Sequence, residues 1–148
     1  MSYRIKFHTK WSDFDANKHM RHSAYNDFAA EARLRFLTEN GLGVDVMEKQ
    51  HIGPVLFSEN TTFKREIRLG EDIYVDSFLE ASSAKGERFK IMHHIYKENG
   101  VLTATISVYI AWIDLTKRKL TIPPKVLLHI LEKMDKTANF EEIVLKSQ

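Results

Sequence analysis

Apolar positions change their spacing along the chain, and each change marks an element. Tyr3, Ile5 and Phe7 alternate with polar residues, which predicts a first strand ending near Trp11. A polar, histidine-rich stretch follows, SDFDANKHMRHS. Tyr25, Phe28, Ala29, Ala32 and Phe36 then fall at i, i+3, i+4, i+7 and i+11, the spacing of one helix face. Ser23 is the expected N-cap, Asp27 and Glu31 suit the positive end of the helix dipole, and Asn40-Gly41 is a stop signal. Ala24, Ala29, Ala30 and Ala32 would let a sheet approach the helix backbone closely. A second, short helix is expected over residues 44–51.

From Pro54 the period becomes two. Val55, Phe57, Phe63, Ile67 and Leu69 are expected on one side, with Asn60, Thr62, Lys64, Glu66 and Arg68 on the other. Gly70-Glu71 breaks that strand, and another is expected over residues 73–81. Lys85-Gly86 is a turn, residues 89–96 read as a strand, and Asn99-Gly100 is a hairpin signal. Residues 101–113 are long and apolar enough for a central strand. Pro123-Pro124 opens a helix with Val126, Leu127, Ile130, Leu131 and Met134 on one face. No period is evident after about Ala138. This order reads as α+β, an antiparallel sheet wrapped around one long helix, with a terminal helix. The sheet's open edges predict pairing with a second subunit.

Composition narrows the class. A chain of 148 residues suits one domain, taken as 1–148; at that size roughly 70% of the unfolded surface is buried without a disulfide or metal staple. A formal charge of +2 gives no reason to expect nucleic acid or an anionic membrane as partner. The absence of cysteine excludes a disulfide scaffold, a thiolate nucleophile and a Cys-ligated metal, and fits a reducing compartment. No apolar run approaches the roughly 20 residues that span a bilayer. The N-terminus alternates instead of showing a signal-peptide core, so a cytoplasmic location is expected.

The chemistry concentrates in Asp13-Phe14-Asp15-Ala16-Asn17-Lys18-His19-Met20-Arg21-His22, just ahead of the long helix. A helix N-terminus offers unpaired N–H groups that polarise a carbonyl. A carboxylate beside it can act as nucleophile or general base, and a histidine can move protons near neutral pH. Those parts suffice for acyl transfer from an activated ester to water. Read as local structure instead, Asp13, Asp15 and Asn17 are turn formers and Glu66 belongs to a solvated, ion-paired strand face with Lys64 and Arg68.

This stretch resembles the hotdog-fold thioesterases, which hydrolyse acyl-CoA or acyl-ACP thioesters. Their pattern is Asp-x-Asp-x-x-x-His-(Val/Met)-x-x-x-x-Tyr followed by a helix with Glu-x-Ala-Arg. Here it reads Asp13-Phe14-Asp15, His19-Met20, Tyr25 and then Glu31-Ala32-Arg33. The run from Phe63 to Asp72 resembles the family's third-strand signature and its turn. The resemblance implies Asp15 as the catalytic carboxylate. The bacterial acyl-CoA branch implies His22 as its assistant, whereas the plant acyl-ACP enzymes imply Asn17, His19 and Glu66. Both sets are present. Two departures stand out: Arg21-His22 replaces a frequent Asn-Asn, and Lys18 replaces the CoA branch's Gly, which argues against an aryl-CoA specialist.

The resemblance further implies a thioester carbonyl directed at amides near His22 to Tyr25, with Ser23 and Tyr25 on the substrate side, in a cleft between two subunits. Lys64, Arg65 and Arg68 would meet CoA phosphates or the acidic surface of ACP. No cofactor is implied, since CoA or ACP is the substrate's own handle. A homodimer or homotetramer is expected. Asp15, His19 and His22 form at best an incomplete metal set, and His93-His94 would face opposite sides of a strand, so they cannot share a metal. The competing class is a non-catalytic hotdog module that binds acyl chains or a carrier protein.

Overall fold

A computed structural model describes residues 3–146. Strand β1 spans Tyr3–Phe7, helix α1 His22–Glu39, helix α2 Val44–Lys49 and strand β2 Ile52–Phe63. Strands β3 (Ile73–Ser83), β4 (Arg88–Lys97), β5 (Leu102–Asp114) and the short β6 (Lys119–Leu120) follow. Helix α3 (Lys125–Lys133) and strand β7 (Lys136–Ile143) complete the described chain.

The main sheet runs β1-β3-β4-β5-β2, every neighbour antiparallel, and β6 extends β5. Alternate residues of β3, β4 and β5 face inward: Val75 and Leu79, Ile91 and Ile95, Ala104, Ile106, Val108 and Trp112 are all buried. Helix α1 packs on this core face through Ala24, Tyr25, Ala29, Ala32 and Phe36. The three alanines are fully buried, which brings helix and sheet together as their size permits; Ala30 stays exposed. Helix α3 adds Leu127, Ile130 and Leu131 to the same core. The expected α+β arrangement is present.

Several boundaries differ from expectation. Strand β1 stops at Phe7, because Trp11–Asp13 turns as a 3-10 helix with Asp13 closing on the Lys10 amide (2.9 Å). Strand β2 begins at Ile52 and ends at Phe63 instead of running to Leu69. A bulge between Leu56 and Ser58 reverses its alternation, so Phe57 meets Tyr109 on the outer face while Phe63 lies on the core face opposite Ala104. The segment after Phe63 leaves the sheet, with the Lys64 and Arg65 amides both donating to the Thr103 carbonyl. Residues past Ala138 include most of β7, which runs parallel to β3. The N-cap of α1 is Arg21 rather than Ser23; Asp27 and Glu31 stand beyond the first turn and pair with Arg21 and Arg35. Among the described residues, no helix is long and apolar enough to cross a membrane.

Candidate active site at the start of α1

The loop before α1 folds back on itself as a tight turn. The Asp15 amide donates to the His19 carbonyl (2.8 Å), and the Lys18 amide donates to the Asp15 carbonyl (3.0 Å). Asp15 Oδ1 accepts from the Asn17 amide (2.8 Å) and the His19 amide (3.2 Å). One carboxylate oxygen is thus fixed by the backbone, and Oδ2 is left to face the site. Lys18 sits at φ 64°, the left-handed region in which glycine is at ease.

This turn docks on the segment leaving β2. The Met20 amide donates to the Ile67 carbonyl (2.8 Å) and the Leu69 amide to the Lys18 carbonyl (2.9 Å). The pairing sets His19 Nε2 3.1 Å from Glu66 Oε2. His22, the first residue of α1, lays its ring 5.1 Å from Phe63, and buried Tyr25 meets Phe63 edge-on at 5.0 Å. Burial, with a smaller push from the Glu66 charge, holds the Tyr25 hydroxyl above its usual range, against the opposing Ile67 amide. It is therefore a neutral hydroxyl at physiological pH.

Asp15, His19, Met20, His22, Tyr25, Phe63, Lys64, Arg65 and Glu66 line one cavity of about 330 Å³. Asn17, Ser23 and Arg68 do not line it. Asn17 uses its amide on Asp15, and its side chain belongs with Lys18 and Arg68 on the far side of His19. Ser23 Oγ is taken by Arg21 Nη1, so it contributes through its backbone alone. Arg68 borders a neighbouring depression with Glu71 and Lys97. Asp13 is buried and structural, as its turn-forming chemistry suggested.

The helix terminus is open. No side chain caps α1, and its first turn carries no acidic residue. The Ala24 amide closes on the Arg21 carbonyl (3.0 Å), which leaves the first-turn amides of His22 and Ser23 without intrahelical acceptors. Among the described residues, no group of three or more His, Cys, Asp or Glu side chains is placed to hold a metal.

Sequence reasoning missed Phe63 as a wall of the site and the polar contacts beside it. Asn26 Nδ2 donates to Glu59 Oε1 (2.8 Å), and Thr61 Oγ1 donates to Asn26 Oδ1 (2.8 Å). The available signal was helical spacing, since Asn26 lies one turn beyond His22. The bulge hid Glu59 and Thr61, because it places them on the core face.

A model of the thioesterase-like superfamily matches residues 9–131. The chain belongs to that superfamily. No curated protein matches it at a significant level. Solved structures place this thioesterase-like chain among hotdog folds. A hypothetical protein from Staphylococcus aureus, solved in complex with CoA, superposes with a TM-score of 0.84 at 21% identity, covering 93% of this chain and 89% of that one. A 1,4-dihydroxy-2-naphthoyl-CoA thioesterase from Synechocystis gives 0.80 at 16%, covering 90% and 97%. A DHNA-CoA thioesterase from Staphylococcus aureus gives 0.75 at 22%, covering 82% and 80%. The fold of this superfamily member is the hotdog, with the antiparallel sheet curled around α1.

Proposed function

We propose that this chain hydrolyses acyl thioesters, with Asp15 as the catalytic carboxylate. The observation that carries this is the convergence of Asp15, His19, His22 and Glu66 on one cavity at the uncapped start of an 18-residue helix. The thioester carbonyl oxygen lies against the His22 and Ser23 amides, which stabilise the developing oxyanion. Losing one such donor raises a barrier by about 3–4 kcal/mol. Asp15 attacks the carbonyl carbon or draws the proton from the water that does. His19, oriented by Glu66, and His22 are the groups in reach to protonate the departing thiolate. Lys64 and Arg65 on the cavity wall suit the anionic carrier, CoA or ACP.

The site faces β2, the edge of the main sheet, which pairs only with β5. Leu56, Phe57 and Phe63 on this strand are each more than two-fifths exposed. A free edge strand with apolar side chains supports a homodimer paired along β2, the cleft closing over the cavity.

The competing reading is a binding module, and one observation favours it: Asp15 Oδ1 is engaged as a turn former would be. Thiol release from acyl-CoA substrates separates the two. Turnover that disappears in Asp15→Asn, in a folded protein, supports hydrolysis, whereas stoichiometric binding without product supports the module.

A further inference from the structure

We propose that this site selects acyl groups whose far end carries a hydrogen-bond-accepting oxygen, and that Arg33 is the residue that selects them. The inference rests on the thioesterase reading and extends it to the substrate class.

Arg33 is held by a buried device. Its Nη1 lies 3.2 Å from His93 Nε2, and His93 is fully buried on the core face of β4. His93 Nδ1 lies 2.8 Å from the Asp76 carbonyl and 3.1 Å from Ser77 Oγ. A carbonyl only accepts, so Nδ1 carries the proton and Nε2 accepts from the guanidinium. Burial, reinforced by the Arg33 charge, pushes His93 down to about 3, which keeps it the neutral acceptor this arrangement needs.

The guanidinium is otherwise uncommitted. Among the described residues, no carboxylate forms an ion pair with it. The carboxylate whose charge reaches it is Glu59, and Glu59 Oε1 is held by Asn26. Its remaining nitrogens are not among the buried unpaired groups, so they open to the surface. A largely desolvated arginine, steadied by a buried histidine and lacking a carboxylate, is a poor stabilising element. An oxygen supplied by a ligand completes it with charge-assisted hydrogen bonds.

Its position relates it to the cavity. His22, Asn26 and Arg33 share one face of α1, and the one large gap along that face is filled by small Ala29 and Ala30. Across the sheet, Thr61, Ile106 and His93 form one row. That row lies two residues, roughly 7 Å, along β2 from Phe63, the residue against which His22 and Tyr25 pack. Helical side chains lean toward the N-terminus, which carries the guanidinium back toward the cavity. A short acyl chain anchored at the α1 terminus reaches Arg33 with its last atoms.

The test compares hexanoyl-, omega-hydroxyhexanoyl- and adipoyl-CoA as a matched set, on wild type, Arg33→Gln and Arg33→Lys. At least one oxygenated substrate exceeds hexanoyl-CoA in kcat/KM by about tenfold or more in wild type. That ratio collapses in Arg33→Gln and is partly kept in Arg33→Lys, which retains the charge. Because the readout is a ratio, a uniform loss from disturbed packing does not imitate it. Hexanoyl-CoA turned over as well as both oxygenated partners, or a ratio unmoved by Arg33→Gln, overturns the inference. Calorimetric binding of the same three compounds to Asp15→Asn reads the preference without turnover. Absent hydrolysis with a retained Arg33-dependent binding preference removes the thioesterase reading and keeps the subsite; equal binding of all three removes the subsite.

Discussion

His19 Nε2 and Glu66 Oε2 meet 3.1 Å apart, although one stands in the turn before α1 and the other on the segment leaving β2. The backbone pairing of Met20 with Ile67 and of Lys18 with Leu69 brings them together. A carboxylate in this position orients the imidazole and favours its protonated form. Glu66→Gln is expected to lower kcat/KM by about ten- to a hundredfold with the fold intact, and His19→Ala by at least as much. Steady-state kinetics beside circular dichroism check this; an unchanged Glu66→Gln rate returns Glu66 to a solvated strand residue.

His93 makes stability depend on pH. Its folded pKa is about 3, against an ordinary 6.5. Below pH 6.5 the unfolded chain takes up a proton that the native histidine refuses, so stability is complete above 6.5 and falls as the pH drops toward 3. The loss is about 1.4 kcal/mol per pH unit, hence about 2 kcal/mol between pH 6.5 and 5, before most carboxylates titrate. Urea unfolding across that range shows the slope, and His93→Gln flattens it. An identical slope in the variant contradicts the assignment.

Lys18 occupies φ 64° in the turn that fixes Asp15. Glycine adopts that conformation without the Cβ penalty, and its greater unfolded-state freedom offsets part of the gain. Lys18→Gly is therefore expected to leave stability within about 1 kcal/mol of wild type, on the favourable side, and to keep the Asp15 turn. Thermal unfolding measures it, and a marked fall in Tm would show that the Lys18 side chain holds the loop.

The exposed edge of β2 predicts a subunit contact. Sedimentation is expected to show a dimer or a larger even assembly. Leu56→Asp, a charge placed on the core face of the edge strand, is expected to shift it toward monomer while far-ultraviolet dichroism persists. A wild-type protein that sediments as a monomer at all concentrations contradicts the cleft between subunits.

The sequence made α1 readable because its apolar residues keep one helical period and end at Asn40-Gly41, where Gly41 takes φ 94°. The strands β3 to β5 were readable from turn residues between alternating runs. The end of β2 was not. Its alternation continues in letters through Leu69, but the chain exits at Phe63 to pair with the Asp15 turn, and the bulge at Phe57 shifts which residues share a face. β7 lacked a signal because Lys136–Ile143 is mostly exposed and joins the sheet by parallel pairing with β3, a long-range contact. At the site, the clustering of Asp15, His19 and His22 was legible from proximity and resemblance. The Arg33–His93 contact was not, since the two residues lie 60 apart in the chain.

The central claim, Asp15 as the carboxylate of a thioester hydrolase, is tested most directly by thiol release from a panel of acyl-CoAs with wild type beside Asp15→Asn. The chain contains no cysteine, so a thiol-reactive dye reports only the released carrier. The account predicts measurable turnover by wild type and a loss of about a hundredfold or more in the folded variant. Equal rates in the two proteins would contradict it and leave Asp15 as a residue that closes a turn.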